Sequence, residues 1–342
     1  MIGHVLESQL IFLIGAPRSG STLLTRMLGA HPSIHAPEEP HLLTPLAHLG
    51  YYHRVGTAPY DPIISEVAIR QLVAALPRGE ADYLEALRAY TDTLYAGLLA
   101  GSGKPLLLDK TPAYALVLDF VAKLYPKARF LVLTRHPLAI WTSVVGSFFD
   151  GNHQAARDHN PILELYVPAI ARFLREAPVP YHHLRYEALV AQPREQMEAL
   201  CGFLGIDFEE DMVEYGRSES GRSESARGLG DPVTVAREQR PTTASVARWT
   251  QDLAGNAAAI DQAEEILACL LDDDLASWGF DRAGIASELA QLDRAGPPRR
   301  GRRLTRYALE RRVLVTLRRN IHRNALGRLV RSIRRACDIL LR

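Results

Sequence analysis

The stretch Leu10–Thr22, LIFLIGAPRSGST, decides the fold. Apolar, β-prone residues run from Leu10 into Gly15, then Pro17, Arg18 and the Ser19-Gly20-Ser21-Thr22 cluster, and the helix-forming LLTRMLGA follows. The order is strand, tight loop, helix. Backbone N–H groups that a helix cannot satisfy internally, and the positive end of its dipole, then point at one place and suit an anion. The spacing Gly15-x4-Gly20-Ser21-Thr22 is that of a phosphate loop, with Ser21 where a nucleotide triphosphatase carries Lys. That Lys reaches the outer phosphates, so its absence argues against an ordinary kinase or ATPase, and Arg18 can supply the charge instead. A ligand-free Gly/Ser-rich turn has the same local pattern, and the later motifs bear on that choice.

PRSGSTLL, the helix leading to His31-Pro32, and Glu38-Glu39 together resemble the 5′-phosphosulfate loop of sulfotransferases that use 3′-phosphoadenosine 5′-phosphosulfate (PAPS). Within that family they are most similar to the branch of tyrosylprotein sulfotransferases and many bacterial sulfotransferases. The resemblance implies an α/β, P-loop-like fold with a central parallel sheet of about five strands flanked by helices. It also implies that Arg18 and the N–H groups of Ser19, Gly20, Ser21 and Thr22 bind the 5′-phosphosulfate, with Arg18 among the catalytic groups.

Glu38 and Glu39 sit between Pro37 and Pro40, in an extended loop where neighbouring side chains diverge, so only one can face a given site. A general base must come within hydrogen-bond reach of the hydroxyl it deprotonates. By resemblance the second Glu of the pair, Glu39, is the base; two solvated loop acids are the plain alternative.

Pro105–Asp109 is a short apolar run that reads as a buried parallel strand and delivers Lys110-Thr111-Pro112 at its C-terminal end, where open α/β sheets bind ligands. Lys110 is placed to balance charge on the bridging oxygen or the sulfuryl group. Arg129–Thr134 is the next strand, ending at Arg135-His136-Pro137, with a helix starting at Pro137. Arg135 and Ser143, two turns into that helix, are expected to converge on one anion, which the resemblance makes the 3′-phosphate of PAPS. The family's second Arg, four residues after the Ser, is Ser147 here. Val179–Glu187 reads as the fifth strand, and RYEALV resembles a segment in which the Tyr, here Tyr186, contacts the adenosine. After the low-complexity RSESGRSESARGLG at 217–230, the resemblance places Thr234 at the reaction centre and Arg248 on the 3′-phosphate side.

Between these motifs, residues 41–103 read as a helical insertion, with helices over 62–76 and 81–99 and a Tyr51-Tyr52-His53-Tyr60 cluster, where acceptor specificity would vary. Helices are also expected over 113–125, 161–176, 192–204, 257–271 and 285–292.

With 342 residues and 47% hydrophobic content, the chain can bury a large core. Cys201, Cys269 and Cys337 are far apart and lack metal-ligand spacing, which suggests a reducing, cytoplasmic setting. The opening MIGHVLESQLIFLIG has no positive n-region and is expected to be neither signal peptide nor anchor. The formal net charge of +1 is unevenly spread: residues 299–342 hold fifteen Arg against Glu310 and Asp338, a charge of +13, which leaves −12 on residues 1–298. The resemblance makes residues 1–295 a sulfotransferase domain, and the charge split sets 296–342 apart as a basic tail, in which apolar residues from Leu314 to Leu340 recur at helical spacing. A peripheral membrane contact and docking on the acidic body fit that helix about equally, and nucleic acid fits it least.

The expectation is transfer of sulfate from PAPS to a small-molecule, glycan, lipid or peptide hydroxyl, leaving adenosine 3′,5′-bisphosphate (PAP), with no metal. A nucleotide-dependent kinase with an aberrant loop and a non-catalytic PAPS- or PAP-binding module are the alternatives.

Overall fold

A computed structural model of the protein describes residues 7–53, 55, 62–149, 151–217 and 240–295. The chain opens with β1 (Leu10–Gly15), α1 (Ser21–Gly29) and a two-residue β2 (Ile34–His35). Three helices follow, α2 (Leu43–Ala47), α3 (Pro62–Ala75) and α4 (Glu80–Ser102), and lead into β3 (Leu106–Asp109). Next come α5 (Leu118–Leu124), β4 (Arg129–Thr134), α6 (Pro137–Phe148), α7 (His153–His159), α8 (Ile162–Glu176) and β5 (Tyr181–Arg185). The described part closes with α9 (Tyr186–Ala191), α10 (Pro193–Leu204), α11 (Arg248–Leu253), α12 (Ala257–Cys269), α13 (Asp272–Trp278) and α14 (Arg282–Ala290).

The five strands form one parallel sheet in the order β2-β3-β1-β4-β5. Its strands read as continuous apolar runs because both faces are covered. Leu10, Phe12 and Ile14 pack on one face with Leu107, Phe130 and Val132, beneath α5, α6 and α8. Ile11 and Leu13 point the other way with Leu108, Leu131 and Leu133, against Leu24, Met27 and Leu28 of α1 and Met197 and Leu200 of α10. Every residue of β1 is buried, as suits the central strand.

The register lines up the C-terminal strand ends. Phe12 pairs with Asp109, Gly15 with Leu133, and Thr134 with Arg185. Lys110, the loop after Gly15, Arg135 and Tyr186 therefore leave the same edge of the sheet.

Two expected elements are corrected. The helix expected over 113–125 is a 3-10 turn at Pro112–Leu116 followed by α5, with Val117 between them at φ −131°. The turn inserts Tyr114 into the core, where its hydroxyl donates to Asp109 Oδ2 at 3.0 Å. The fifth strand stops at Arg185 rather than Glu187, since its partner β4 ends at Thr134, and Tyr186 and Glu187 form the first turn of α9. Between α2 and α3, Tyr51 and Tyr52 pack on each other, with Tyr52 also against Phe120 at 4.8 Å between centroids. Tyr60, Cys337, the 218–239 segment with Thr234, and the tail with its Gly-Pro-Pro linker lie outside the described residues.

Candidate active site

The loop between β1 and α1 is built by two unusual backbone conformations. Arg18 has φ +70° and Gly20 φ +96°. At Gly20 a glycine is required twice, because a Cβ there would also lie 2.4 Å from Cδ2 of the Tyr186 ring. The Ser19 amide closes the turn onto the Ala16 carbonyl at 3.1 Å. That contact takes Ser19 out of the expected set of anion-binding N–H groups and leaves those of Gly20, Ser21 and Thr22 at the start of α1. The Ser19 hydroxyl is fully buried with no hydrogen-bond partner among the described residues.

Arg18 ties the loop to α6, its Nε donating to Ser143 Oγ at 2.9 Å. Arg135, at the end of β4, donates from Nη1 to the Arg18 carbonyl at 3.0 Å and from Nη2 to the Ser245 carbonyl at 2.9 Å. Arg135 and Ser143 are thus brought together, with Arg18 between them. The Arg135 guanidinium also lies over the Tyr186 ring, 4.3 Å from its centroid. Tyr186 is itself buried, wedged between Gly20 and Arg135, so it braces both. Burial, followed by the neighbouring charges of Arg18 and Arg248, lowers the pKa of Arg135, which Tyr186 and Glu187 partly oppose. Arg135 Nε is buried without an acceptor among the described residues.

Arg248 opens α11, is 66% exposed and lies 3.8 Å from Asp252. Its charge still reaches Arg135. Arg18 and Arg135 thus lie against each other at the loop that opens α1, with the charge of Arg248 reaching Arg135 and two buried polar atoms, Ser19 Oγ and Arg135 Nε, left without a partner among the described residues. Such a cluster is stabilised by a polyanion.

Beyond β3, Lys110 Nζ is paired with Glu39 Oε1, both side chains largely buried. The other oxygen of Glu39 lies 3.3 Å from His41 Nε2. Asp109, fully buried beside Lys110, accepts from Tyr95 at 2.7 Å, Tyr114 at 3.0 Å and Thr111 at 3.1 Å. Desolvation pushes it up to about 6 against the effect of those donors. Burial and then the Glu39 charge push the Tyr166 phenol up to about 12.

His136 stacks on Trp249 at 4.6 Å and meets Phe280 edge-on. Glu187, Trp278 and Ser245 were not foreseen. Glu187 accepts from the His136 amide at 2.8 Å, and Trp278 Nε1 donates to the Arg135 carbonyl at 2.8 Å. Glu187 lay in the quoted RYEALV, but nothing in local sequence relates residue 278 or 245 to Arg135. Among the described residues no cluster of three or more His, Cys, Asp or Glu is arranged to hold a metal ion.

The family model described as the sulfotransferase family matches residues 10–210. The nodulation protein NoeE of Sinorhizobium fredii is 33% identical over 222 residues, which cover 57% of this chain and 50% of NoeE. Protein-tyrosine sulfotransferase 2 of Gallus gallus is 26% identical over 219 residues, 61% of this chain and 54% of that protein. The chain thus spans about half the length of these two relatives. The sulfotransferase domain of the Synechococcus PCC 7002 olefin synthase superposes with a TM-score of 0.51 at 26% identity, covering 76% of this chain and 93% of that domain. The family match takes in the phosphate loop, Glu39, Lys110, Arg135 and Tyr186 and extends over more than half of the sequence, and the chain belongs to the sulfotransferase family.

Proposed function

We propose that this protein transfers a sulfuryl group from PAPS to an acceptor hydroxyl, with Glu39 as general base. The observation that carries this reading is the alignment, along one sheet edge, of the Arg18/Arg135 cation cluster and the Glu39–Lys110 pair. A donor with phosphate at both ends needs separate cationic sites, and an acceptor hydroxyl needs a base beside one of them.

PAPS supplies the activated sulfuryl group. Arg18 and the amides of Gly20, Ser21 and Thr22 hold its 5′-phosphosulfate, and Arg135 with Ser143 its 3′-phosphate, with Arg248 as a further cation. The orphaned Ser19 hydroxyl and Arg135 Nε fit such a polyanion. Tyr186 props Gly20 and Arg135 into position. Glu39 takes the proton as the acceptor oxygen bonds to sulfur, and the electron pair of the broken S–O bond goes to the phosphate oxygen, where Lys110 balances the charge. Positioning and charge stabilisation carry such a transfer, with no covalent intermediate on the protein. Thr234, outside the described residues, keeps its proposed place at the reaction centre.

The test is radiolabelled PAPS with a tyrosine peptide, para-nitrophenol, an amino-sugar oligosaccharide and a glycolipid. Transfer to one of them that drops about 100-fold or more in Glu39→Gln supports the reading. Undiminished transfer in that variant overturns the base, and no transfer with intact PAP binding favours a non-catalytic module.

We further infer that the protein is cytoplasmic and that its +13 tail meets an anionic membrane surface, which attracts clustered Arg next to an apolar stripe.

A further inference from the structure

His41 follows the Glu38-Glu39-Pro40 segment, and its backbone has φ +49°, a left-handed conformation that side chains other than glycine rarely adopt. Among the described residues two other non-glycines share that sign: Arg18 in the phosphate loop and Ala177 at the C-terminus of α8. A strained residue beside a reacting group points to a constraint that local sequence alone does not require.

The surroundings hold the bend in place. The His41 amide donates to Thr111 Oγ1 at 3.4 Å, and Thr111 Oγ1 donates in turn to Asp109 Oδ1 at 3.1 Å. Asp109 is fixed by Tyr95 and Tyr114. The turn after Glu39 is thereby anchored to the end of β3, the same strand that delivers Lys110. In this bend the ring reaches back, and its Nε2 lies 3.3 Å from Glu39 Oε2 while Lys110 takes Oε1. Each carboxylate oxygen has its own nitrogen partner.

In the reaction described above, on which this inference rests, Lys110 holds Glu39 Oε1 through one of its three N–H donors, and its charge is drawn towards the departing phosphate oxygen as the S–O bond breaks. When it turns to the leaving group, Oε1 is released for the acceptor hydroxyl, and the carboxylate needs a second support. We propose that His41 is a positioning residue for Glu39: its Nε2–H holds Oε2, so that Oε1 stays aimed at the acceptor when Lys110 departs. The charged and titratable groups around this contact are Glu39, Lys110, Asp109 and the Tyr166 phenol. The ring itself is half-exposed.

The conformation gives a test that separates positioning from a merely structural role. His41→Gly removes the ring and relieves the positive φ, so a residue needed only for the turn should be replaced with no loss of turnover and a gain in melting temperature. The positioning role predicts instead that His41→Gly melts at or above the wild-type temperature, binds PAP equally well, and loses on the order of 10- to 100-fold in kcat with little change in acceptor KM. His41→Gln, which keeps an N–H donor, should recover most of that loss. The assay is turnover of labelled PAPS on the fastest of the four acceptors named above. Wild-type kcat in His41→Gly, alongside a dead Glu39→Gln, would overturn the positioning role and leave the base intact. Full activity in Glu39→Gln would instead remove the base, and this inference with it.

Discussion

Glu39 and Lys110 are 71 residues apart in sequence and meet as an ion pair, Lys110 Nζ on Glu39 Oε1. One follows β2 and the other comes directly after β3, and these strands are neighbours in the sheet. The group proposed to accept the proton and the group proposed to meet the leaving oxygen therefore share a contact before the reaction. Lys110→Ala should lower kcat by roughly 100-fold or more while weakening PAP much less, because its charge matters most as the S–O bond breaks. Steady-state kinetics beside PAP titration reads both; equal losses would make Lys110 an ordinary binding cation.

Gly20 is fixed by the Tyr186 ring as well as by its backbone. In Gly20→Ala a methyl group would meet Tyr186 at 2.4 Å with φ at +96°, so the variant should lose more than about 1 kcal/mol of stability and much of its PAP affinity. Gly146, inside α6, has open space around its Cα. Gly146→Ala should stabilise by about 0.5–1 kcal/mol. Thermal unfolding of the two variants checks the pair, and a neutral Gly20→Ala would contradict the wedge.

The sheet was legible because its strands are buried on both faces and read as uninterrupted apolar runs ended by Gly15, Asp109 and Thr134. Lys110, Arg135 and Ser143 could be placed relative to the sheet for the same reason: each sits at a fixed interval from a strand end. What local sequence could not give was contact across the fold. Trp278 on the Arg135 carbonyl and Asp109 beneath Thr111 depend on packing between distant elements. The break at Val117 and the early end of β5 were missed because tertiary partners, Asp109 for Tyr114 and β4 for β5, override local periodicity.

Acid should act on the fold through His136. Burial, then the Arg135 and Arg185 charges, push it from the usual 6.5 down to about 3. A folded value below the unfolded one gives stability that is complete above about pH 6.5 and is lost as the pH falls towards 3. Asp109, raised to about 6 by burial, acts in the opposite direction and is common to both proteins compared. His136→Phe, which keeps a ring against Trp249, should lose less melting temperature than wild type between about pH 7 and pH 4. Parallel pH curves would show that His136 does not carry the effect.

The tail's charge sets a salt test on the full chain. It should sediment with phosphatidylserine vesicles at low salt, be released as salt rises, and ignore phosphatidylcholine vesicles. Charge reversal at Arg318, Arg319, Arg334 and Arg335 should abolish sedimentation without changing PAP binding. No binding to anionic vesicles at low salt would end the membrane reading.

If Arg18, Arg135 and the start of α1 form a site for a nucleotide with phosphate at both its 3′ and 5′ positions, that site should discriminate between nucleotides. Calorimetric titration of wild type and Arg135→Ala with PAP, adenosine 5′-phosphosulfate and magnesium–ATP tests it most directly. Wild type should bind PAP more tightly than magnesium–ATP, and Arg135→Ala should lose far more affinity for PAP than for adenosine 5′-phosphosulfate. Tighter binding of magnesium–ATP than of PAP, or equal losses for PAP and adenosine 5′-phosphosulfate, would contradict it.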